Sequence, residues 1–575
     1  MNIKKIIALT LLFTLTACSD RSQKDAEVKN SNQNTVAHTV ASSQKGNSVQ
    51  KTRGTGSATT PLPSAPPREY LDAEDAGLMM EEIPAKALLL TNAPAPEPQP
   101  QWNTESYNAL KENGFTSTAH DPLSTFSIDV DTASYSNVRR FINEGRLPPV
   151  GAVRIEEMIN YFSYTYPQPS DDHPFSVTTE LGPSPWNDSR KLVRIGLKAK
   201  DIDKKNLPPS NLVFLIDVSG SMSDANKLPL LQKAMKMLVN QLGERDKISL
   251  VVYAGNDHVV LPPTSCSEQQ KIISAIDSLG AGGSTHASSG ITTAYELAEQ
   301  ALLPKGNNRI VLASDGDFNV GITSRDELQK LVEEKRKSGV YLTVLGFGMG
   351  NYHDDTMEIL ADKGNGNYAY IDNLLEAKKV MVKEMSGTLF ALASDVKIQV
   401  EFNPAKIAAY RLIGYENRAL ADEDFNDDKK DAGEIGVGHT VTALYELIPV
   451  GAAGHPSVDP LKYQKYQKPE QSAEASYADE LMTVKLRYKP LQSAKSVLLS
   501  TVVKEKSPTL EETSDDFRFA SAVAGFGMLL GESEHGDGVT WPQVLSLAKG
   551  AKGQDEEGYR AEFIRLVETA ELLKK

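Results

Sequence analysis

Cysteine is nearly absent. The 575 residues carry two, Cys18 and Cys266, so no disulfide framework holds this fold together. Positive charge is scarce as well: 61 Lys and Arg stand against 76 Asp and Glu, a net −15. That balance excludes nucleic acid as a partner, because a phosphate backbone demands a basic patch, and it favours cationic ligands. Long apolar runs are lacking too. The stretch from Ile6 to Ala17 is too brief to span a bilayer. Two catalytic signatures are missing, a glycine-framed serine nucleophile and an HExxH helix, and a non-enzymatic protein is expected.

The chain does have a secretory beginning, with Lys4 and Lys5 ahead of the short apolar stretch. Its end, Leu15-Thr16-Ala17-Cys18, resembles the lipobox of bacterial lipoproteins. The resemblance implies that Cys18 is lipidated after removal of the preceding peptide, giving a membrane anchor. Ser19 stands where an aspartate would signal inner-membrane retention, so the expected location is the bacterial cell envelope, at the outer membrane. With Cys18 acylated, Cys266 has no intramolecular partner and reads as an inert thiol.

Composition divides the remainder. Residues 19–103 are rich in Ser, Thr, Asn, Gln and Pro, with proline clusters at Pro61–Pro67 and Ala93–Pro100. This is a tether with a root-mean-square reach of roughly 50 Å. Residues 104–170 read as a small helical domain, two helices joined by a turn at Pro148-Pro149. In Phe126-Ser-Ile-Asp129-Val-Asp131-Thr132, Asp131 or Thr132 is expected to cap the first of them. Residues 171–205 and 389–510 hold alternating apolar and polar runs, such as Val396–Phe402 and Thr440–Leu447, typical of half-buried antiparallel strands. The two flanks are expected to share one β-sandwich with residues 206–388 inserted into it. Residues 511–575 read as a helical tail.

Inside residues 206–388, strand and helix patterns alternate, which predicts a doubly wound, mostly parallel six-stranded α/β sheet of the Rossmann-like class. Its first strand, Asn211–Asp217, is a run of five apolar residues ending in Asp217, Ser219 and Ser221. Such a run suits a strand buried on both faces, with polar groups in the loop past its carboxyl end, where open α/β sheets bind ligands. Two further loops can converge there: Gly282-Gly-Ser-Thr285, and Ser314-Asp315-Gly316 at another strand end.

These three pieces resemble the metal-ion-dependent adhesion site of the von Willebrand factor type A domain, in the family's order and secondary-structure context. The resemblance implies that Asp217, Ser219, Ser221, Thr285 and Asp315 ligate Mg²⁺, or Mn²⁺ or Ca²⁺ in its place, some of them through water. An all-oxygen donor set with few carboxylates suits a hard cation and leaves its charge incompletely neutralised. In the family, a partner's Asp or Glu fills the open position, and a shift of the last helix, here around Leu374–Met385, accompanies binding. The whole chain looks like a group of bacterial envelope lipoproteins. A membrane-anchored, cation-dependent protein-binding role is therefore expected, with a structural or assembly factor as the alternative and a metal-dependent hydrolase third. His286 reads as a rim residue without a role. The acidic loop Asp422–Asp431 reads as a solvated insertion, since Asp427 stands where a calcium loop needs glycine.

Overall fold

A computed structural model describes residues 105–575, except 109–110, 171, 255–256, 283–289, 317–324, 351, 385–386, 388, 455–476, 492 and 494. The leader, Cys18 and the tether lie outside the described residues, as do Thr285 and His286. In the described chain no helix is long and apolar enough to cross a membrane.

Two short strands, β1 (Thr116–Ser117) and β2 (Leu123–Ser127), precede helices α1 (Ala133–Asn143) and α2 (Ile155–Asn160), and then the hairpin β3 (Phe175–Ser184) and β4 (Asn187–Ala199). The inserted unit follows as β5 (Ser210–Asp217), α3 (Leu228–Val239), β6 (Lys247–Tyr253), β7 (His258–Ser265), α4 (Gln269–Asp277) and α5 (Gly290–Gln300). It continues through β8 (Asn307–Ser314), α6 (Arg325–Lys335), β9 (Val340–Phe347), α7 (Asp354–Lys363), β10 (Tyr368–Ile371) and α8 (Leu374–Lys378), which runs on into a π-helical turn over Lys379–Lys383. After it come β11 (Ala391–Phe402), β12 (Ile407–Ile413), β13 (Gly433–Gly436), β14 (Thr440–Pro449), β15 (Glu480–Pro490) and β16 (Val497–Lys504). Helices α9 (Asp515–Leu530), α10 (Trp541–Gly550) and α11 (Tyr559–Lys574) end the chain.

The inserted unit is the predicted α/β sheet. Its order is β10-β9-β8-β5-β6-β7, parallel throughout except for β7. Every residue of β5 is buried. Leu212, Phe214 and Ile216 pack on one side with Leu231 and Met235 of α3, while Val213 and Leu215 pack on the other with Ile291 and Tyr295 of α5. Helices on both faces explain why this strand is an unbroken apolar run rather than an alternating one.

Strands from both flanks meet in one sandwich. One sheet runs β1-β12-β14-β4-β3 and the other β13-β11-β15-β16, with β2 also paired to β11. Residues Val193, Ile195, Leu197, Tyr445 and Leu447 face inward against Ile398, Val400 and Val484. On the outer side of the first sheet, Leu192, Ile413 and Leu444 pack against helices. The two helical stretches, far apart in sequence, thereby share a single core, in which Phe162 of the first stretch lies 4.9 Å from Phe519, itself 5.4 Å from Phe563. Such edge-to-face aromatic pairs add to the area they bury.

The expected cap at α1 does not form. Thr132 occupies the cap position without a side-chain hydrogen bond, and Asp131 is drawn elsewhere: it accepts the backbone N–H of Tyr368 on β10 at 2.8 Å and pairs with Arg418 at 3.3 Å. Arg418 also reaches Asp129 at 3.2 Å and Asp362 of α7 at 2.6 Å. Charged hydrogen bonds that join three parts of the chain outweigh one local cap. The acidic loop is likewise less free than its composition implies, because Phe425 is buried and Lys397 donates to the carbonyls of Asp424 and Asp427.

Candidate metal centre

Parallel pairing fixes the level of the two key carboxylates. Ile216 of β5 lies opposite Ala313 of β8, so Asp217 and Asp315 emerge at the same carboxyl edge of neighbouring strands, which sit about 4.8 Å apart. Past β5 the chain turns tightly: Asp217 Oδ1 accepts the N–H of Ser219 at 2.8 Å, and the hydroxyls of Ser219 and Ser221 lie 2.9 Å apart. Ser314 Oγ donates to Asp217 Oδ2 at 3.4 Å. Past β8, Gly316 takes a φ of 98°, a left-handed turn suited to glycine. Gly282 donates its N–H to the carbonyl of Val218 at 3.0 Å, which brings the described chain leading toward Thr285 against the β5 loop. Four of the five expected ligands, Asp217, Ser219, Ser221 and Asp315, are thus gathered at one edge, and the fifth lies outside the described residues.

Both carboxylates are buried, Asp217 at 1% and Asp315 at 2% exposure, whereas Ser221 is open to solvent. Burial pushes the Asp217 carboxyl up to about 6, against the pull of the Ser219 hydrogen bonds, with the Asp315 charge adding to the rise. Asp315 Oδ1 is buried with no hydrogen-bond partner among the described residues. A buried anionic oxygen without a donor is costly. Among the described residues no group of three or more His, Cys, Asp or Glu is placed to hold a metal, and the donors described at this edge are carboxylates and hydroxyls together. That all-oxygen set and the orphaned Asp315 Oδ1 fit a hard divalent cation.

One neighbour had no signature in the sequence. Lys227, the residue before α3, is 5% exposed and places its Nζ 2.9 Å from Asp315 Oδ2. Lysine at a loop-to-helix junction is ordinarily a solvated residue, and only the fold shows that this one turns inward. Cys266 is buried and free, and burial pushes its thiol up to about 12, consistent with an unreactive group.

Comparison with known proteins agrees with this architecture. A model of the von Willebrand factor type A domain matches residues 211–383, a model described as von Willebrand factor matches 101–194, and one described as "Uncharacterized protein YfbK, C-terminal" matches 387–573. The protein YfbK of Escherichia coli K12 is 45% identical over 475 residues, 81% of each chain. The chain belongs to the YfbK family. In this chain the three matched regions cover the α/β unit and both flanks. A 67 kDa magnesium-chelatase subunit of Chlorobaculum tepidum is 28% identical over 227 residues, 34% of this chain and 36% of that protein. Among solved structures, a von Willebrand factor type A protein from Catenulispora acidiphila covers 68% of this chain and 90% of its own, at 14% identity and a TM-score of 0.37.

Proposed function

We propose that this YfbK-family protein is a cation-dependent protein-binding protein of the bacterial cell envelope, anchored through a lipid on Cys18. In this reading Asp217, Ser219, Ser221, Thr285 and Asp315 hold Mg²⁺, and a partner's Asp or Glu completes the coordination. The observation that carries it is the pair of buried carboxylates and adjoining serine hydroxyls at the carboxyl edge of the sheet, with Asp315 Oδ1 lacking a donor among the described residues. When bound, the ion supplies an open, electrophilic position. The protein's own part is to fix the ligands: the Ser219 N–H and Ser314 hydroxyl orient the Asp217 carboxylate, and exposed Ser221 marks the side from which a partner reaches the site. Asp217, Asp315 and Lys227 are the charged side chains found together at the described site.

Capture of envelope proteins by the immobilised full chain tests the reading. Mg²⁺-dependent capture, lost with chelator and in Asp217→Ala, is the expected outcome; capture unchanged by both overturns it. A second reading, an assembly factor using the α/β unit as a rigid module, is favoured by the ion pairs of Arg139 and Arg418 that tie that unit to its flanks. It predicts a phenotype on deletion and none for Asp217→Ala.

A further inference from the structure

The loop that supplies Ser219 and Ser221 also carries Lys227, and its side chain is built into the site rather than resting on it. The ammonium lies 2.9 Å from Asp315 Oδ2 and the side chain is 7% exposed. The backbone of Lys227 donates to the carbonyl of Asp224 at 2.9 Å and accepts the N–H of Leu231 at 2.9 Å, which holds the residue at the head of α3. Opposite it stands Gly348, just past β9, with a φ of +75°. A Cβ at 348 would lie 2.1 Å from Lys227 Cε and 2.7 Å from its Cγ. A side chain there is incompatible with the lysine stem, so the glycine leaves a slot that the lysine fills. In that slot the ammonium is held against Asp315, largely shielded from solvent.

We propose that Lys227 is an internal counter-cation of the metal site, which weakens divalent-cation binding and leaves the loaded site with a net positive charge that one partner carboxylate balances. The inference rests on the metal-binding reading above. Two carboxylates alone would offset most of a divalent ion's charge and leave a weaker attraction for a further anion. With Lys227 paired to Asp315, one of those charges is already taken. The Oδ2 lone pairs are shared with a donor, while Asp315 Oδ1, buried and without a partner among the described residues, remains for the ion. Repulsion between a fixed ammonium and a divalent ion held by the same carboxylate lowers affinity by at least about tenfold, even in a strongly screened setting. The ion is then held loosely until an anion arrives, and by reciprocity the partner and the ion strengthen each other's binding.

Mn²⁺ alone is the probe, its free concentration followed by electron paramagnetic resonance during titration of the full chain. Lys227→Met, which keeps the unbranched stem and removes the charge, and Lys227→Gln, should each bind Mn²⁺ at least about tenfold more tightly than wild type. Lys227→Arg, which keeps the charge, should not, and Asp315→Asn should abolish binding in every background. Binding seen only in the two neutral variants also supports the inference. Equal or weaker binding in both neutral variants overturns it while leaving the metal site standing. No Mn²⁺ binding by wild type or any variant overturns the metal reading and this inference together. The thermal shift on adding Mn²⁺ provides the second measurement: it should be larger in the neutral variants than in wild type, and a smaller shift counts against the proposal.

Discussion

Replacing Arg139 by methionine should cost about 3–5 kcal/mol of stability at pH 7, the penalty for leaving buried carboxylates without their cation. Arg139, on α1, is 2% exposed. Its guanidinium makes five hydrogen bonds: Nε to Asp372 at 2.8 Å, Nη2 to Asp372 at 2.5 Å and to Glu376 at 2.7 Å, and Nη1 to Tyr161 and to Glu562, both at 2.9 Å. Every donor of the group is used. Methionine keeps much of the aliphatic stem, so the loss falls on the charges. Glu376 is fully buried, and Asp372 is nearly so. Burial already raises the Asp372 carboxyl above its usual range, with Arg139 as the group that opposes the rise. Without the guanidinium the folded-state pKa climbs further. A carboxyl raised in the folded state costs stability once pH exceeds its unfolded value, so the penalty should shrink between pH 7 and pH 5 as the folded protein takes up protons. The assay is urea unfolding of the full chain, followed by tryptophan fluorescence and by circular dichroism. Trp186 and Trp541 report on the helical core, whereas residues 210–383 contain no tryptophan. Because Arg139 joins that core to the turn after β10, the two signals should separate more widely in the variant than in wild type. A loss under about 1 kcal/mol, the value of an exposed ion pair, would refute the reasoning.

Other consequences follow from the same kind of reading. Glu156 is fully buried, with no hydrogen-bond partner for either oxygen among the described residues; burial holds its carboxyl well above the usual range, and the Glu416 and Asp129 charges add to this. The folded chain keeps a proton that the unfolded chain releases, so stability falls as pH rises above about 4.5, and Glu156→Gln should flatten the pH dependence of unfolding by up to about 1.4 kcal/mol per unit. Gly348→Ala sets a methyl group against Lys227 in a left-handed backbone position and should lower the melting temperature, whereas Gly145→Ala, with open space around it at a comparable φ, should cost only about 1 kcal/mol, the difference measured by parallel melts. Glu446, fully buried, accepts from Trp186 at 2.8 Å and Arg411 at 3.1 Å; Glu446→Ala should cost about 3–5 kcal/mol and change the emission of Trp186.

The parts legible in the sequence are those whose chemistry is local. The run into Asp217 reveals a doubly buried strand and the polar loop past it within eleven residues, because period and composition change abruptly there. The six-stranded sheet followed from the same patterning. The small strands β1 and β13 escape such a reading, since two to four residues carry no period, and the patterning does not separate helix α10 from the rest of the helical tail. The cap expected at Asp131 or Thr132 fails for a different reason. Local hydrogen bonding is the rule for an aspartate beside a helix, and the partners that override it, Tyr368 and Arg418, lie more than 200 residues away.

That distance also explains why Lys227 was invisible while Asp217 was not. The proposed ligand motif is written in spacing, two residues from Asp217 to Ser219 and two more to Ser221. The Lys227 pair with Asp315 closes over 88 residues, and it depends on a third position, Gly348, whose lack of a side chain is meaningful only once β9 is set beside β8. The same sheet edge therefore carries two layers of information: one in the residues able to take a cation, the other in the residues that set how much positive charge the edge already holds. Chains with the same DxSxS loop but with a neutral residue at the position of Lys227 should hold their cation more tightly and need a partner's carboxylate less. In chains that retain both the lysine and the facing glycine, ion and partner should bind as a coupled pair.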